Sequence, residues 1–255
     1  MIDGLSAVLI TKNNADLIEP CFTSLKLLTH DIIIVDNGST DRTTDISRSF
    51  GARIYTDHTN DLGVLRGKAL QIAKGPWIVT LDADERLSPE LEREIRHVLS
   101  TKNAKDGYLI PFRNHLFGHS ISHGGENYKM LRLFKKEAVV IRPNLVHERY
   151  ELKKEATQGN LSSPIDHYSY RSLPQMFGKF TNYAIRDARQ KYRKGEKVSL
   201  KKVALYGPHM FYARFFKDQG YKDGVSRIVL DGGFAYMEAL TYWTLAYYQV
   251  MHRKT

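Results

Sequence analysis

The chain has 255 residues, enough for one large domain or one domain with an appendage, and 42% hydrophobic with 26% charged residues is the balance of a globular protein. Its single cysteine, Cys21, excludes an internal disulfide and a thiolate metal cluster, which fits a reducing cytoplasm. The net charge of +10 is uneven: residues 1–147 carry 19 Lys/Arg against 18 Asp/Glu, and residues 148–255 carry 19 against 10. A basic, Tyr/Phe-rich back half implies an anionic partner, and nucleic acid, an anionic membrane surface and a phosphorylated glycolipid all satisfy that requirement. Met1-Ile2-Asp3-Gly4 does not open a basic and then apolar leader, and no apolar run reaches bilayer-spanning length, so an integral membrane protein is not expected.

Taken in order, Leu5–Thr11 reads as a first strand ending in Lys12-Asn13-Asn14. Leu17, Ile18, Cys21, Phe22, Leu25 and Leu28 recur at helical spacing and predict a helix over 15–29 with Cys21 in the core. Ile32-Ile33-Ile34-Val35 is an unbroken apolar run, as in a parallel strand covered on both faces. Asp36-Asn37-Gly38-Ser39-Thr40-Asp41 then forms a turn leading into a short helix over 41–50. A weaker strand at 52–55, a helix over 64–74, a strand at 77–82 and a helix at 89–100 complete a strand–helix alternation that indicates a parallel sheet. Ser88 and Pro89 are the N-cap and N1 signals of the last helix. From residue 107 the rhythm changes. Strands are expected at 108–112, 130–134 and 139–141, a Gly/His-rich connection between the first two, and helices near 174–193, 199–218 and 234–252.

The chemistry centres on Leu81-Asp82-Ala83-Asp84-Glu85. Asp82 and Asp84 stand one residue apart at the carboxyl end of a strand, where open α/β sheets bind ligands, and alternate residues of extended chain point the same way. A hard divalent cation shared with substrate phosphates suits such a pair. The other strand ends present Thr11, Asn13, Asp36, Asp41 and Arg66 at the same edge. Short carboxylates there bind ribose hydroxyls or a base N–H, and an arginine answers phosphate. Neither G-x-G-x-x-G nor G-x-x-x-x-G-K-[ST] is present, so dinucleotide oxidoreductase and P-loop readings lose support. The bland alternatives are that Asp36 and Asp41 cap the next helix and that Arg66 is a surface charge. His115, His119 and His123 match no closed zinc spacing.

Residues 4 to about 100 resemble the nucleotide-binding half of an inverting family 2 glycosyltransferase with a GT-A fold. The matching pieces are Ala7 to Asn13, Ile33 to Asp41 with its Asp-x-Gly-Ser-Thr-Asp core, and Trp77 to Glu85. The back half is similar to the lipopolysaccharide core β-1,4-glucosyltransferase branch, on Leu145-Val146-His147-Glu148, Ile165 to Ser172 and Asp223-Gly224. The resemblance implies a GT-A, Rossmann-like α/β fold: a mostly parallel mixed sheet flanked by helices over 1–172, split into a nucleotide-sugar half (1–105) and an acceptor half (106–172). A helical basic extension follows over 173–255. It implies that Thr11, Asp36 and Arg66 hold the nucleotide, with Asn13 and Asp41 beside them. Asp82 would face the ribose, and Asp84 with His167 would hold the metal, Mg²⁺ or Mn²⁺. Glu148 would be the general base.

The expected reaction is transfer of a hexose, glucose from UDP-glucose, to a lipopolysaccharide-core heptose or similar glycolipid. The expected setting is the cytoplasm, at the inner face of the cytoplasmic membrane, with the basic aromatic tail touching anionic lipid and no nucleic acid bound. A different acceptor on the same fold, or a non-catalytic basic binding module, are the alternatives the sequence leaves open.

Overall fold

The computed structural model describes residues 1–59, 61–141 and 150–251. They form two compact units, one of Met1–Phe112 with Tyr128–His167, the other of Arg113–Asn127 with the chain from Tyr168 onward.

The first unit opens with β1 (Leu5–Thr11), α1 (Ile18–Leu25), β2 (Asp31–Asp36), α2 (Thr43–Ser49), β3 (Arg53–Thr56), α3 (Leu62–Ile72) and β4 (Trp77–Thr80). Sheet order β3-β2-β1-β4 is parallel throughout, with Thr11 opposite Asp36 and Asp36 opposite Thr56, so the strands end in line. Pleat alternation assigns the two faces. Ala7, Leu9, Ile32 and Ile34 pack on one side with Cys21 and Phe22 of α1, while Val8, Ile33 and Val35 meet Leu65 and Ala69 of α3 on the other. Both faces are therefore buried, as the apolar run at 32–35 implied.

Then come β5 (Glu85–Leu87), α4 (Pro89–Ser100), β6 (Gly107–Leu116), β7 (His119–Ile121), β8 (Lys129–Lys135), β9 (Val139–Ile141), β10 (Tyr150–Leu152), β11 (Gln158–Asn160) and β12 (Ile165–Tyr170). Antiparallel β8 lies beside β4, with Val79 opposite Leu133, and β6 lies beyond it. The sheet is thus mixed, as expected of the fold class. Antiparallel β12 meets β5 with His167 opposite Glu85.

Several boundaries differ from the expectation for local reasons. Leu17 and Leu28 keep the helical period but lie in turns flanking α1. Strand β4 stops at Thr80 because Asp82 opens a turn, its carbonyl accepting from Glu85 N–H at 2.9 Å. The three-residue strands β5, β7, β10 and β11 are too short for a periodic signal, and β12 mixes polar with apolar residues. Ser88 caps α4 as read, its hydroxyl accepting from Leu91 N–H at 3.1 Å.

In the second unit, the end of β6 and β7 form a hairpin whose two-residue turn, Phe117-Gly118, has φ of 50° and 87°. Positive φ at both positions gives the turn the twist that suits a hairpin. The Gly/His-rich connection is thus partly ladder. Three helices follow, α5 (Leu173–Arg193), α6 (Leu200–Tyr212) and α7 (Ser226–Met251). Chain after α6 continues as a wider π-type turn over Ala213–Lys217, so the helix expected to reach 218 ends at 212. Helix α7 begins at Ser226 instead of near 234. Its Gly232-Gly233 pair hid that start, and a Cβ on Gly233 would stand 2.7 Å from the Phe180 ring, so the missing side chain is what lets α5 and α7 touch.

A buried charge network completes this unit. Arg227, fully buried, donates from Nε and Nη2 to Asp231 at 3.0 and 2.9 Å and from Nη2 to the Gly124 carbonyl at 2.9 Å. Arg214 donates to Asp231 at 3.0 Å and to Glu126 at 2.5 Å. Two guanidinium groups thus share Asp231. Asp231→Ala leaves both short of their counter-ion, and a urea unfolding curve should show a loss of about 3–5 kcal/mol.

Candidate active site

The carboxyl ends of β1 and β2 are laced together by the residues that follow them. Asp36, buried, accepts from Gly38 N–H at 3.1 Å, Ser39 N–H at 2.9 Å and the Ser39 hydroxyl at 2.5 Å. Gly38 sits at φ 78°, and a Cβ there would fall 2.6 Å from the His58 ring, so only glycine fits. Asn13, at φ 53°, donates from its backbone to the Ser39 hydroxyl at 2.9 Å and accepts from Thr40 N–H at 2.8 Å. Asp41 accepts from Thr43 N–H and Ala15 N–H at 3.0 and 3.1 Å. Its carboxyl is held below the usual range: burial opposes ionisation, and these hydrogen bonds with that of the Thr43 hydroxyl outweigh it. The Thr11 hydroxyl accepts from Asn14 at 3.0 Å. Thr11, Asn13, Asp36 and Asp41 therefore form one hydrogen-bonded cluster.

Arg66 and Asp82 belong to a second grouping, a cleft of about 440 Å³ on the α3 side of the sheet. Lys129, Arg132 and Tyr150 line it with them. The Arg66 guanidinium lies 5.9 Å from the Tyr150 ring centroid.

At the head of the cleft stands Asp82-Ala83-Asp84-Glu85. Besides the Glu85 N–H to Asp82 carbonyl bond, Asp82 N–H donates to the Glu85 carboxylate at 2.8 Å, so the turn is closed from both sides with Asp84 near its tip. Ala83 is buried and anchors the turn in the core. Arg132 reaches in from β8. Continuing the β4–β8 register places it opposite Thr80, whose hydroxyl accepts from Nη1 at 3.3 Å. Its Nη2 donates to Asp82 at 3.0 Å and Glu85 at 2.5 Å. Glu85 is fully buried while the Asp82 side chain is 52% exposed. Burial pushes the Glu85 carboxyl well above its ordinary range although Arg132 pulls the other way. At Asp82 the surrounding protein also opposes ionisation, but Arg132 outweighs it and holds the carboxyl below the usual range. Cys21 packs behind the turn, its thiol 3.6 Å from the Asp82 carbonyl, and burial with the nearby carboxylates pushes that thiol up. It is a core residue, as its position on the apolar stripe implied.

Asp84 and His167 are 83 positions apart in sequence and meet because β12 runs beside β5. Asp84 Oδ2 stands 3.5 Å from His167 Nε2. The imidazole sits edge-on to Phe112 at 5.8 Å, with the Tyr128 hydroxyl 3.5 Å from Nδ1. Two donors at about 2.1 Å from one ion and at right angles to each other stand about 3 Å apart, so this pair fits the shell of one divalent cation. No third His, Cys, Asp or Glu joins them among the described residues, and the remaining ligands would be phosphate oxygens and water. Glu148 lies outside the described residues.

Comparison with known proteins gives the family. Residues 6–105 match the model of glycosyl transferase family 2. An uncharacterised glycosyltransferase of Rickettsia bellii is 30% identical over 223 residues, 83% of this chain and 76% of that protein. The chain belongs to glycosyl transferase family 2. Another relative, the lipopolysaccharide core biosynthesis glycosyltransferase LpsC of Rhizobium meliloti, is 24% identical over 93% of the chain and 87% of its own length. Among solved structures, S. aureus TarS 1-349 superposes with a TM-score of 0.50 at 14% identity, covering 96% of this chain and 91% of that one, which supports the fold alone.

In this glycosyltransferase the feature least visible in sequence is the pairing of Glu85 with Arg132, an arginine the sequence offers, with Arg142 and Lys129, as an aid to the leaving diphosphate. Arg132 left a trace: it is the one charge inside Met130-Leu131-Arg132-Leu133-Phe134, and a cation in an apolar strand needs a buried partner. Arg132→Met removes the partner of buried Glu85 at nearly constant volume. The expected result is a loss of about 3–5 kcal/mol in urea unfolding, with Arg132→Lys recovering only part, because a single ammonium does not reproduce the planar fork.

Proposed function

We propose that this glycosyltransferase moves a hexose, glucose from UDP-glucose, to a saccharide acceptor, a lipopolysaccharide-core heptose or similar glycolipid, with inversion at the anomeric carbon. The observation that carries the reading is the meeting of Asp84 and His167 at the strand edge, beside a cleft that holds both a carboxylate, Asp82, and an arginine, Arg66. Similarity to LpsC favours the lipopolysaccharide-core acceptor, and the basic back half favours a phosphorylated glycolipid.

In this reading Thr11, Asn13, Asp36 and Asp41 frame the nucleoside end of the donor, Asp82 faces the ribose and Arg66 answers a phosphate. Asp84 and His167 hold Mg²⁺ or Mn²⁺. A bound cation would supply Lewis-acid neutralisation of the leaving diphosphate. Glu148 takes the proton of the acceptor hydroxyl as that oxygen attacks the anomeric carbon from the face opposite UDP. Its assignment rests on the resemblance alone. The reaction runs on the inner face of the cytoplasmic membrane, where the acceptor lipid is held. No helix of the described residues is long and apolar enough to cross a bilayer, so the proposed contact is peripheral.

Thermal unfolding with UDP and UDP-glucose, with and without Mn²⁺, tests the donor site. A ligand at a hundredfold excess over its Kd stabilises by about 2.7 kcal/mol. The shift should require Mn²⁺ and vanish in Asp84→Ala, and the absence of a shift with any nucleotide diphosphate would overturn the reading. For the base, Glu148→Gln should keep the UDP shift and slow transfer by about 10²–10⁴-fold, measured as UDP release with a heptose-containing acceptor.

A further inference from the structure

The segment joining α6 to α7 is inside-out. At the start of α7 the charged residues Arg227 and Asp231 are buried, while Val225 is 82% exposed and Ile228 and Val229 are also open to solvent. Upstream, Tyr212, Phe216 and Tyr221 are 59%, 53% and 49% exposed. They form one patch. Tyr212 and Phe216 lie 5.7 Å apart, Phe216 and Phe215 5.1 Å, and Phe215 and Tyr221 6.2 Å between ring centroids. Phe211 stacks on Phe215 at 5.2 Å and backs the patch from within. Tyr206 of α6 is by contrast consumed in packing against Tyr242 at 4.8 Å, while Trp243 and Tyr247 farther along α7 are exposed as well.

The exposed charges beside this patch are net positive. Lys217 and Lys222 are exposed beside its rings, with one exposed acid, Asp218, between them. Asp223 is turned inward, accepting from His123 and Ser122 N–H groups at 2.8 and 3.0 Å. We infer that the end of α6, the π-type turn and the first turns of α7 form a docking surface for the headgroup–acyl boundary of an anionic lipid bilayer. Exposed aromatic and branched side chains with lysines alongside are what that boundary takes: rings and aliphatic groups enter below the headgroups, and ammonium groups meet lipid phosphate. Charge decides against a second copy of the chain, since residues 148–255 carry 19 Lys/Arg against 10 Asp/Glu and would face like charge. This inference rests on the peripheral membrane contact proposed above and locates the surface that makes it; the donor and the donor-site residues do not enter it.

The test is vesicle flotation of the full chain without donor or acceptor, on phosphatidylglycerol-containing and on pure phosphatidylcholine vesicles, at low and raised salt. Binding is expected on the anionic vesicles only, weakening as salt rises. Phe216→Ser with Val225→Ser should lower partition by about tenfold or more, and Lys217→Glu with Lys222→Glu should erase the preference for anionic lipid. Phe216 and Val225 are half or more exposed and both lysines are exposed, so the variants should remain folded, which circular dichroism and a cooperative unfolding curve check. Failure of the folded chain to bind anionic vesicles at low salt overturns the inference. So does binding that both double variants leave intact. Sedimentation velocity gives the remaining outcome: a dimer abolished by Phe216→Ser with Val225→Ser would assign the patch to self-association and overturn the lipid assignment.

Discussion

One guanidinium holds the centre of the first unit together. Arg132 sits among Thr80, Asp82 and Glu85, and Glu85 is a carboxylate from which water is excluded. A buried acid with no cation beside it costs several kcal/mol, so the turn that displays Asp84 exists only because an antiparallel strand is threaded next to β4. The departure from an all-parallel sheet is therefore what supplies the counter-charge. Phe112 extends the arrangement, with the Arg132 guanidinium 5.3 Å from its ring centroid and the His167 ring edge-on to it.

The polar residues of the strand edge divide into two kinds. Asp36, Asn13 and Asp41 have spent their hydrogen bonds on backbone N–H groups of neighbouring turns, so they shape the edge before any ligand arrives. Asp84, His167 and Arg66 stand at the same strand edge, the first two as a facing pair and the third in the wall of a cleft. An edge ordered in this way lowers the cost of ordering that the proposed donor site would otherwise carry. In the second unit the Arg227–Asp231–Arg214–Glu126 network plays the scaffold role, fixing the loop at 122–127 to α7.

Much of this was readable from residues alone, and for identifiable reasons. The apolar run at 32–35, the Ser88-Pro89 start of α4 and the Asp-x-Gly-Ser-Thr-Asp core are local signals, and local signals survive without coordinates. The helix-capping alternative for Asp41 is met only in part: it accepts from Thr43 N–H in an Asx-type turn, while the N-cap of α2 is Arg42, which makes no side-chain cap bond. What sequence hid is non-local. The pairing of Arg132 with Glu85 needs the β4–β8 register, and the start of α7 needs the knowledge that Phe180 fills the space over Gly233. His167 lies between these cases, since the resemblance suggested its role and only the β5–β12 pairing brings it to Asp84.

The order of the sheet has a consequence for how the chain can be divided. The stretch that carries the family signature ends at residue 105, yet β8 and β12 both come later. A fragment stopping there would contain Asp36, Asp41, Asp82, Asp84 and Glu85 and neither the cation that neutralises Glu85 nor the imidazole that faces Asp84. The part of the sequence that announces the family is thus not a module that could be transplanted. During synthesis the site must wait, incomplete, until about sixty further residues have emerged.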